Sequence, residues 1–148
     1  MGLVASLARP GGNVTGTTLD AGSLEMSKRL QLFREVLPHG SPIILIFSSS
    51  YPGVTHYVDQ AREAARQLHI ALEPIDVPTR EDDVRSLIGA RRVGGLMVGL
   101  DPVVAAQGKR IIEISLQKRW PTMFAGVVAR RFVEAGGLMS YDANREEA

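Results

Sequence analysis

Short strand-like runs alternate with amphipathic segments along the chain, and this alternation restricts the folds open to it. The clearest run, residues 42–47, contains no polar residue and ends at three serines. Such a run is typical of a strand buried on both faces, as in a parallel sheet. Further strands are predicted at residues 71–77, 93–98, 121–125 and 138–140, the last at or near an edge of the sheet.

The segments between these runs have helical periodicity. Residues 54–69 place Val58, Ala61, Ala65 and Leu68 on one face and charged residues on the other. Further helices are predicted at residues 23–37, 79–92, 103–119 and 128–135. The predicted inward positions are listed by helix: Met26, Leu30, Phe33 and Leu37 in 23–37; Val84, Leu87 and Ile88 in 79–92; and Val104, Gly108, Ile111, Ile112, Ser115 and Leu116 in 103–119. Thr79 is the predicted cap of the second of these helices, Arg91 and Arg92 lie at its end, and Gly136 and Gly137 close the last.

Strands and helices that alternate with short connections predict one doubly wound α/β domain. It has a mainly parallel five-stranded sheet with helices on both faces, a three-layer arrangement of the flavodoxin-like or Rossmann-like kind. The two ends of the sequence fit this pattern less well. Residues 2–8 resemble the end of a helix, residues 13–17 a short strand, and no element closes the chain after residue 140, so both ends look cut.

Composition excludes several classes of function. The net charge of +1 over 148 residues gives no basic excess for nucleic acid, and the absence of cysteine excludes disulfides and thiolate metal sites. His39, His56 and His69 lack the spacing of a catalytic triad or a metal site, and no P-loop motif is present. No apolar run reaches the ~20 residues of a membrane helix, and residues 1–10 do not have the pattern of a signal peptide. We expect a binding protein without cofactor, metal or catalytic residues, rather than an enzyme.

In open α/β sheets, ligands bind beyond the carboxyl ends of the strands, where the strand order reverses. With the order 2-1-3-4-5, the reversal falls between the first and third strands, and six residues become candidates for ligand binding. They are Ser48, Ser49, Ser50 and Tyr51 after the first strand, Asp101 after the third and Gly126 after the fourth.

Each candidate has an alternative interpretation. The serines either hold a carboxylate or phosphate together with backbone donors of the following helix, or simply end the strand and cap the turn. Tyr51 walls a ligand or lies on the surface as a turn residue. Asp101 accepts hydrogen bonds from a ligand ammonium or hydroxyl, or caps the helix at residue 103, and these two roles are compatible.

Two stretches, residues 2–16 and 131–141, resemble the substrate-binding proteins of ABC-type importers, in the branch linked to aromatic-amino-acid-like ligands. Residues 30–38 and the pair Asp101-Pro102 also fit. The resemblance implies the periplasmic binding protein type I fold, with two α/β lobes that close on ligand and dock on a membrane permease. It implies a protein that is longer than this chain and either periplasmic or lipid-anchored outside the cytoplasm, with a leader that this chain lacks.

By this resemblance, residues 1–18 are the tail of a first lobe and its crossing strand, residues 19–139 the second lobe, and residues 140–148 the return crossing. The hinges are then expected near residues 17–19 and 140–142. Ser48 to Tyr51 occupy the place of an Asn-Pro-like segment, and Asp101 occupies a common acidic position. An isolated lobe is expected to be able to form a homodimer through surface around Leu3, Val4 and Leu7.

Two other functions remain open. A flavodoxin-like domain would hold an FMN phosphate at residues 48–55, with Tyr51 against the flavin ring. The effector-binding core of a transcription regulator shares the two-lobed fold.

Overall fold

The computed structural model of the chain describes residues 23–79, 83–89, 91–99, 101–126 and 129–142. Within these ranges the elements are α1 (Ser23–Val36), β1 (Ile43–Phe47), α2 (Val54–Gln67), β2 (Leu72–Asp76), α3 (Val84–Ile88), β3 (Gly95–Val98), α4 (Pro102–Ala106), α5 (Gly108–Lys118), β4 (Thr122–Phe124), α6 (Ala129–Glu134) and β5 (Met139–Ser140). The predicted helix end at 2–8, the strand at 13–17 and the surface around Leu3, Val4 and Leu7 lie outside the described residues.

The five strands form one parallel sheet in the order β2-β1-β3-β4-β5, which confirms the predicted fold class and strand order. Ile44 of β1 is in register with Glu73 of β2 on one side and Leu96 of β3 on the other. Because β1 lies between β2 and β3, the chain changes direction across the sheet after β2. The carboxyl ends of β1 and β3 are therefore adjacent at the reversal, and β5 lies at the edge as predicted.

The core has two layers, one on each face of the sheet, because side chains alternate along β1. Ile43 and Leu45 pack with α1 and α2 on one face, whereas Ile44 and Ile46 pack with the helices from α3 to α6 on the other. All four side chains are fully buried, as the unbroken apolar run predicts. The predicted inward faces of α1 and α2 are confirmed: Met26, Leu30, Phe33, Val58, Ala61 and Ala65 are buried, and Leu37 and Leu68 pack partly buried against them.

The helix predicted at residues 79–92 is shorter in the structure, and the predicted cap at Thr79 is wrong. α3 begins at Val84, because Asp83 is extended and its carboxylate accepts the backbone N–H of Arg85 at 3.0 Å. The helix ends before Gly89, a residue of low helix propensity. Arg91 lies beyond it and donates to the carbonyl of Leu87 at 3.0 Å. The predicted buried face is confirmed, with Val84 and Ile88 buried and Leu87 packed against the core.

The single helix predicted at residues 103–119 is two helices that meet at Gln107. The ring of Phe132 from α6 occupies the space beside Gly108, so that a Cβ added there would lie 2.2 Å from the ring. The glycine thus allows α6 to approach α5 closely. The predicted inward residues Val104, Gly108, Ile111, Ile112 and Ser115 are buried.

Leu116 was predicted to face inward, but it is 60% exposed. It lies beside Gly136 at the end of α6, and this glycine has no side chain to cover it. Gly136 adopts a φ of 115° and donates to Val133, while Gly137 donates to Phe132 at 2.8 Å. This pair of bonds is the Schellman motif, which confirms the predicted C-terminal cap.

Within the described ranges, none of the helices has both the length and the apolar character needed to span a membrane.

Candidate functional site

Ser48 and Asp101 meet at the point where the strand order reverses, as the sequence predicted. Asp101 is only 2% exposed, and one carboxylate oxygen accepts the backbone N–H of Ser48 at 3.1 Å. The other oxygen accepts the N–H of Val104 at 2.7 Å and so caps α4. The capping role is therefore confirmed, and the carboxylate also joins the end of β1 to the start of α4. A contact between Asp101 and a ligand stays a prediction.

Gly99 allows this close approach of β1 and β3. Its N–H donates to the carbonyl of Ile46 at 2.8 Å, and a Cβ at this position would lie 2.9 Å from the same oxygen. A side chain would therefore push the two strand ends apart and move Asp101 away from Ser48.

A second carboxylate holds the serine loop from its other side. Asp76, the last residue of β2, accepts the backbone N–H of Ser49 at 2.8 Å. β2 and β3 flank β1 on its two sides. Asp76 at the end of β2 and Asp101 after β3 therefore contact the serine loop from opposite sides. Sequence reasoning missed Asp76, although its position at the carboxyl end of a strand beside β1 was a usable signal.

The backbone donors of Ser48 and Ser49 are thus occupied by carboxylates of the chain itself. This matters for ligand choice, because an anion at this edge would need backbone N–H groups and would meet two negative charges. Of the three serine side chains, those of Ser49 and Ser50 are exposed. The Ser48 hydroxyl is buried and lies 2.7 Å from the hydroxyl of the exposed Ser50.

Tyr51 lies in the turn between the serines and α2, with 43% of its surface exposed. Its N–H donates to the carbonyl of Ser48, and its own carbonyl accepts from Val54, both at 3.2 Å. Gly53 precedes α2 with a φ of 83° and gives the helix no side-chain cap. The turn is therefore fixed by its backbone, while the Tyr51 side chain is accessible at the candidate edge.

Gly126 follows β4 and is buried, with a φ of 93° that favours glycine. Its carbonyl accepts the N–H of Ala129 at 2.9 Å and leads into α6. The sheet order places Gly126 next to the end of β3 and two strands away from Ser48. The structure therefore brings Ser48, Ser49, Ser50, Tyr51 and Asp101 together directly, and it places Gly126 farther along the same edge.

Known structures share this fold. The chain resembles the structure titled as an ABC domain in complex with L-Trp from Streptococcus pneumonia, with 24% identity, a TM-score of 0.75, and coverage of 95% of this chain and 46% of that one. A conserved domain protein from Vibrio cholerae matches with 23% identity, a TM-score of 0.75 and coverage of 95% and 46%. A fatty acid ABC transporter substrate-binding protein from Thermomonospora curvata matches with 16% identity, a TM-score of 0.61 and coverage of 90% and 34%.

At these identities the likeness shows the fold alone, and the chain spans less than half the length of each of these structures. No curated protein matches the sequence significantly. A family model does match it, over residues 1–148, and that family is described as ABC transporter substrate binding protein. The match extends over the whole sequence, including both stretches that carried the resemblance. The chain therefore belongs to the ABC transporter substrate binding protein family.

Proposed function

We propose that this chain is a ligand-binding lobe of the solute-binding component of an ABC-type importer. It would bind a small polar solute, an amino acid or a similar molecule, in a cleft between two lobes and deliver it to a membrane permease. The observation that carries this proposal is the family match over residues 1–148. Proteins of this family bind substrates for transport and are not enzymes, and the family is extracytoplasmic.

The chemistry of the candidate edge supports a ligand that donates hydrogen bonds. Asp76 and Asp101 supply negative charge beside the serine loop and already occupy two of its backbone donors. The exposed Ser50 hydroxyl and the accessible Tyr51 ring remain for a ligand. An ammonium or hydroxyl group suits such a surface better than a phosphate does. The structure from Streptococcus pneumonia that holds L-Trp is consistent with an amino acid, whereas the fatty acid protein is more distant in sequence.

The same observation weighs against a flavodoxin-like function. Within residues 48–55, the N–H groups of Ser48 and Ser49 both donate to carboxylates and so are not free to bind a phosphate. The effector core of a transcription regulator is not favoured by any contact at this edge. The family match supports transport over both alternatives.

Placement in the cell and assembly follow from the same proposal. We expect the complete protein to be periplasmic or anchored by lipid on the outer side of the cytoplasmic membrane. We take residues 19–139 as the second lobe, with residues 1–18 and 140–148 as crossing segments. Dimerisation of the isolated lobe stays a prediction, and it is measurable by sedimentation of the 148-residue chain over a range of concentrations.

Thermal unfolding with a ligand panel tests the function. The protein expressed from its complete reading frame is heated with single amino acids, nucleobases, small sugars, fatty acids and FMN. A ligand present at a hundred times its dissociation constant adds about 2.7 kcal/mol of stability. We expect a concentration-dependent shift with one or more amino acids. A shift with FMN alone, or with none of the polar solutes, would contradict the proposal.

Two variants connect the shift to the candidate edge. Tyr51→Ala and Ser50→Ala change exposed side chains of the loop and are expected to weaken the ligand-induced shift. Arg130→Ala, an exposed change on α6, is the matched control and should bind like the original protein. Equal binding by all three variants would remove the serine loop from the site.

A further inference from the structure

A buried charged cluster lies apart from the serine loop, between α1 and the segment that follows β5. At its centre is Arg29, which is only 4% exposed. Its Nε donates to the carbonyl oxygen of Tyr141 at 2.8 Å. One terminal nitrogen donates to a carboxylate oxygen of Asp142 at 2.9 Å and also pairs with Glu25, one turn earlier on α1. A single guanidinium thus links α1 to a residue that lies 113 positions later in the sequence.

The hydrogen bonds that Arg29 makes to Glu25 and Asp142 join opposite charges, which makes them stronger than bonds between neutral groups. The guanidinium of arginine presents several donors in a rigid plane, and charged hydrogen bonds are stronger when water is excluded. Burial of this arginine is tolerable only because its charge is paired. If Arg29 were removed, the carboxylates of Glu25 and Asp142 would be left close together without the cation, so the segment after β5 would be released.

Tyr57 on α2 adds a third element to the cluster. Its hydroxyl is buried, with no hydrogen-bond partner among the residues that the structure describes. Burial raises the pKa of Tyr57 to about 12, an effect that Arg29 partly offsets and that Asp142 and Glu25 reinforce. The hydroxyl therefore stays protonated beside the Arg29 cluster.

We propose that Arg29 is a positioning residue that fastens Tyr141 and Asp142 to α1, so that this segment moves with the lobe when the lobe closes on a ligand. The role in closure rests on the proposed function, whereas the fastening does not. The proposal differs from the expectation of a hinge at residues 140–142. A hinge needs backbone that turns freely, and here the backbone carbonyl of Tyr141 and the side chain of Asp142 are both held by Arg29.

Hydrogen exchange on the 148-residue chain tests the fastening. In Arg29→Lys and Asp142→Ala, the amides of residues 139–142 should exchange about tenfold faster or more, since each variant loses charged hydrogen bonds. The amides of β1 and β3 should be unchanged. Arg130→Lys alters an exposed pair with Glu134 and should leave residues 139–142 as they were.

Unchanged exchange at residues 139–142 in Asp142→Ala would overturn the proposal, as would equal acceleration through the whole domain. Asp142 is partly exposed, so this variant decides the question even if Arg29→Lys fails to fold.

A second measurement tests the role in closure. In the protein from the complete reading frame, closure is followed by small-angle scattering as the amino acid identified by thermal shift is added. Arg29→Lys should need at least about threefold more ligand to close, although Arg29 is too buried to contact it. Identical closure curves would overturn the role in closure. If the original protein binds no amino acid while residues 139–142 loosen in the variants, the proposed function fails and the fastening stands.

Discussion

The carboxylate of Asp101 lies between the backbone N–H of Ser48, at 3.1 Å, and that of Val104, at 2.7 Å. One side chain thus joins the end of β1 to the start of α4 across the point where the strand order reverses. Because Asp101 is buried, water would not readily replace its carboxylate as the acceptor for these two N–H groups. The candidate edge therefore depends on Asp101 for its shape, whatever the ligand is.

Asp101→Ala should reduce the free energy of unfolding by about 3 kcal/mol, since it removes a helix cap and leaves the buried N–H of Ser48 unpaired. Urea unfolding of the 148-residue chain measures this loss. Asp83→Ala is the matched control, because Asp83 caps α3 from an exposed position, and it should cost about 1 kcal/mol. Equal losses in the two variants would show that the bond to Ser48 contributes nothing.

Asp101→Asn separates the structural role of this residue from ligand binding. Asparagine can still accept from one backbone N–H, so this variant should fold, but it has no charge to offer a ligand. If Asp101 pairs with a ligand ammonium, binding should weaken by about 1–3 kcal/mol in the complete protein. Isothermal titration measures the affinity. An affinity equal to that of the original protein would confine Asp101 to its structural role.

Tyr57→Phe should leave the stability at pH 7 unchanged or slightly higher, because the hydroxyl it removes is buried without a partner among the described residues. Its clearest effect should come in alkali. Burial raises the pKa of Tyr57 from 10.0 to about 12, so between these values the unfolded chain releases the proton while the folded chain keeps it. The contribution of Tyr57 to the free energy of unfolding is therefore fully present below pH 10, and it is lost as the pH rises towards 12.

Denaturant unfolding from pH 8 to pH 11 measures this difference. The original chain should lose up to about 1.4 kcal/mol for each unit of the pKa difference that the titration crosses. Tyr57→Phe should lose less stability over this pH range. Tyr51→Phe changes an accessible ring and is the control, so its stability should fall with pH as that of the original chain does. Parallel curves for all three proteins would refute the burial effect.

Gly108→Ala should destabilise the chain by about 2 kcal/mol, because the added methyl overlaps the Phe132 ring. Alanine favours helices more than glycine does, so a stabilising result would mean that α6 moves away at no cost. Phe132 also stacks at 4.9 Å on Phe124 of β4, which limits such movement. In a Phe132→Leu background the penalty should shrink, and thermal unfolding of the four proteins of this double-mutant cycle measures the difference.

Local patterns were sufficient to predict the sheet and most of its helices. The unbroken run at residues 43–46 indicated burial on both faces, and the helical spacing of Val58, Ala61 and Ala65 indicated the inner face of α2. Both are confirmed, because each pattern reports the burial of its own segment. The meeting of Ser48 and Asp101 followed from strand order alone, since parallel strands end at one edge.

Contacts between distant segments explain the errors and omissions. The close packing of Phe132 beside Gly108 and the position of Leu116 beside Gly136 both involve residues of α6 and its cap, which the helical pattern of residues 103–119 does not reveal. The same is true of the bond from Ser49 to Asp76 and of the cluster around Arg29. Each requires knowledge of which side chain from another element fills the neighbouring space.

The bonds from Arg29 to Tyr141 and Asp142 place the first described helix beside the last described residues. Arg29 of α1 and the residues after β5 therefore lie together beyond the carboxyl ends of the parallel strands, the edge that also carries the serine loop. A domain with this geometry is suited to insertion into a longer polypeptide, because two adjacent connections suffice and no strand of its core has to be opened. Such a unit can be duplicated, exchanged or recombined as a whole without breaking its own sheet.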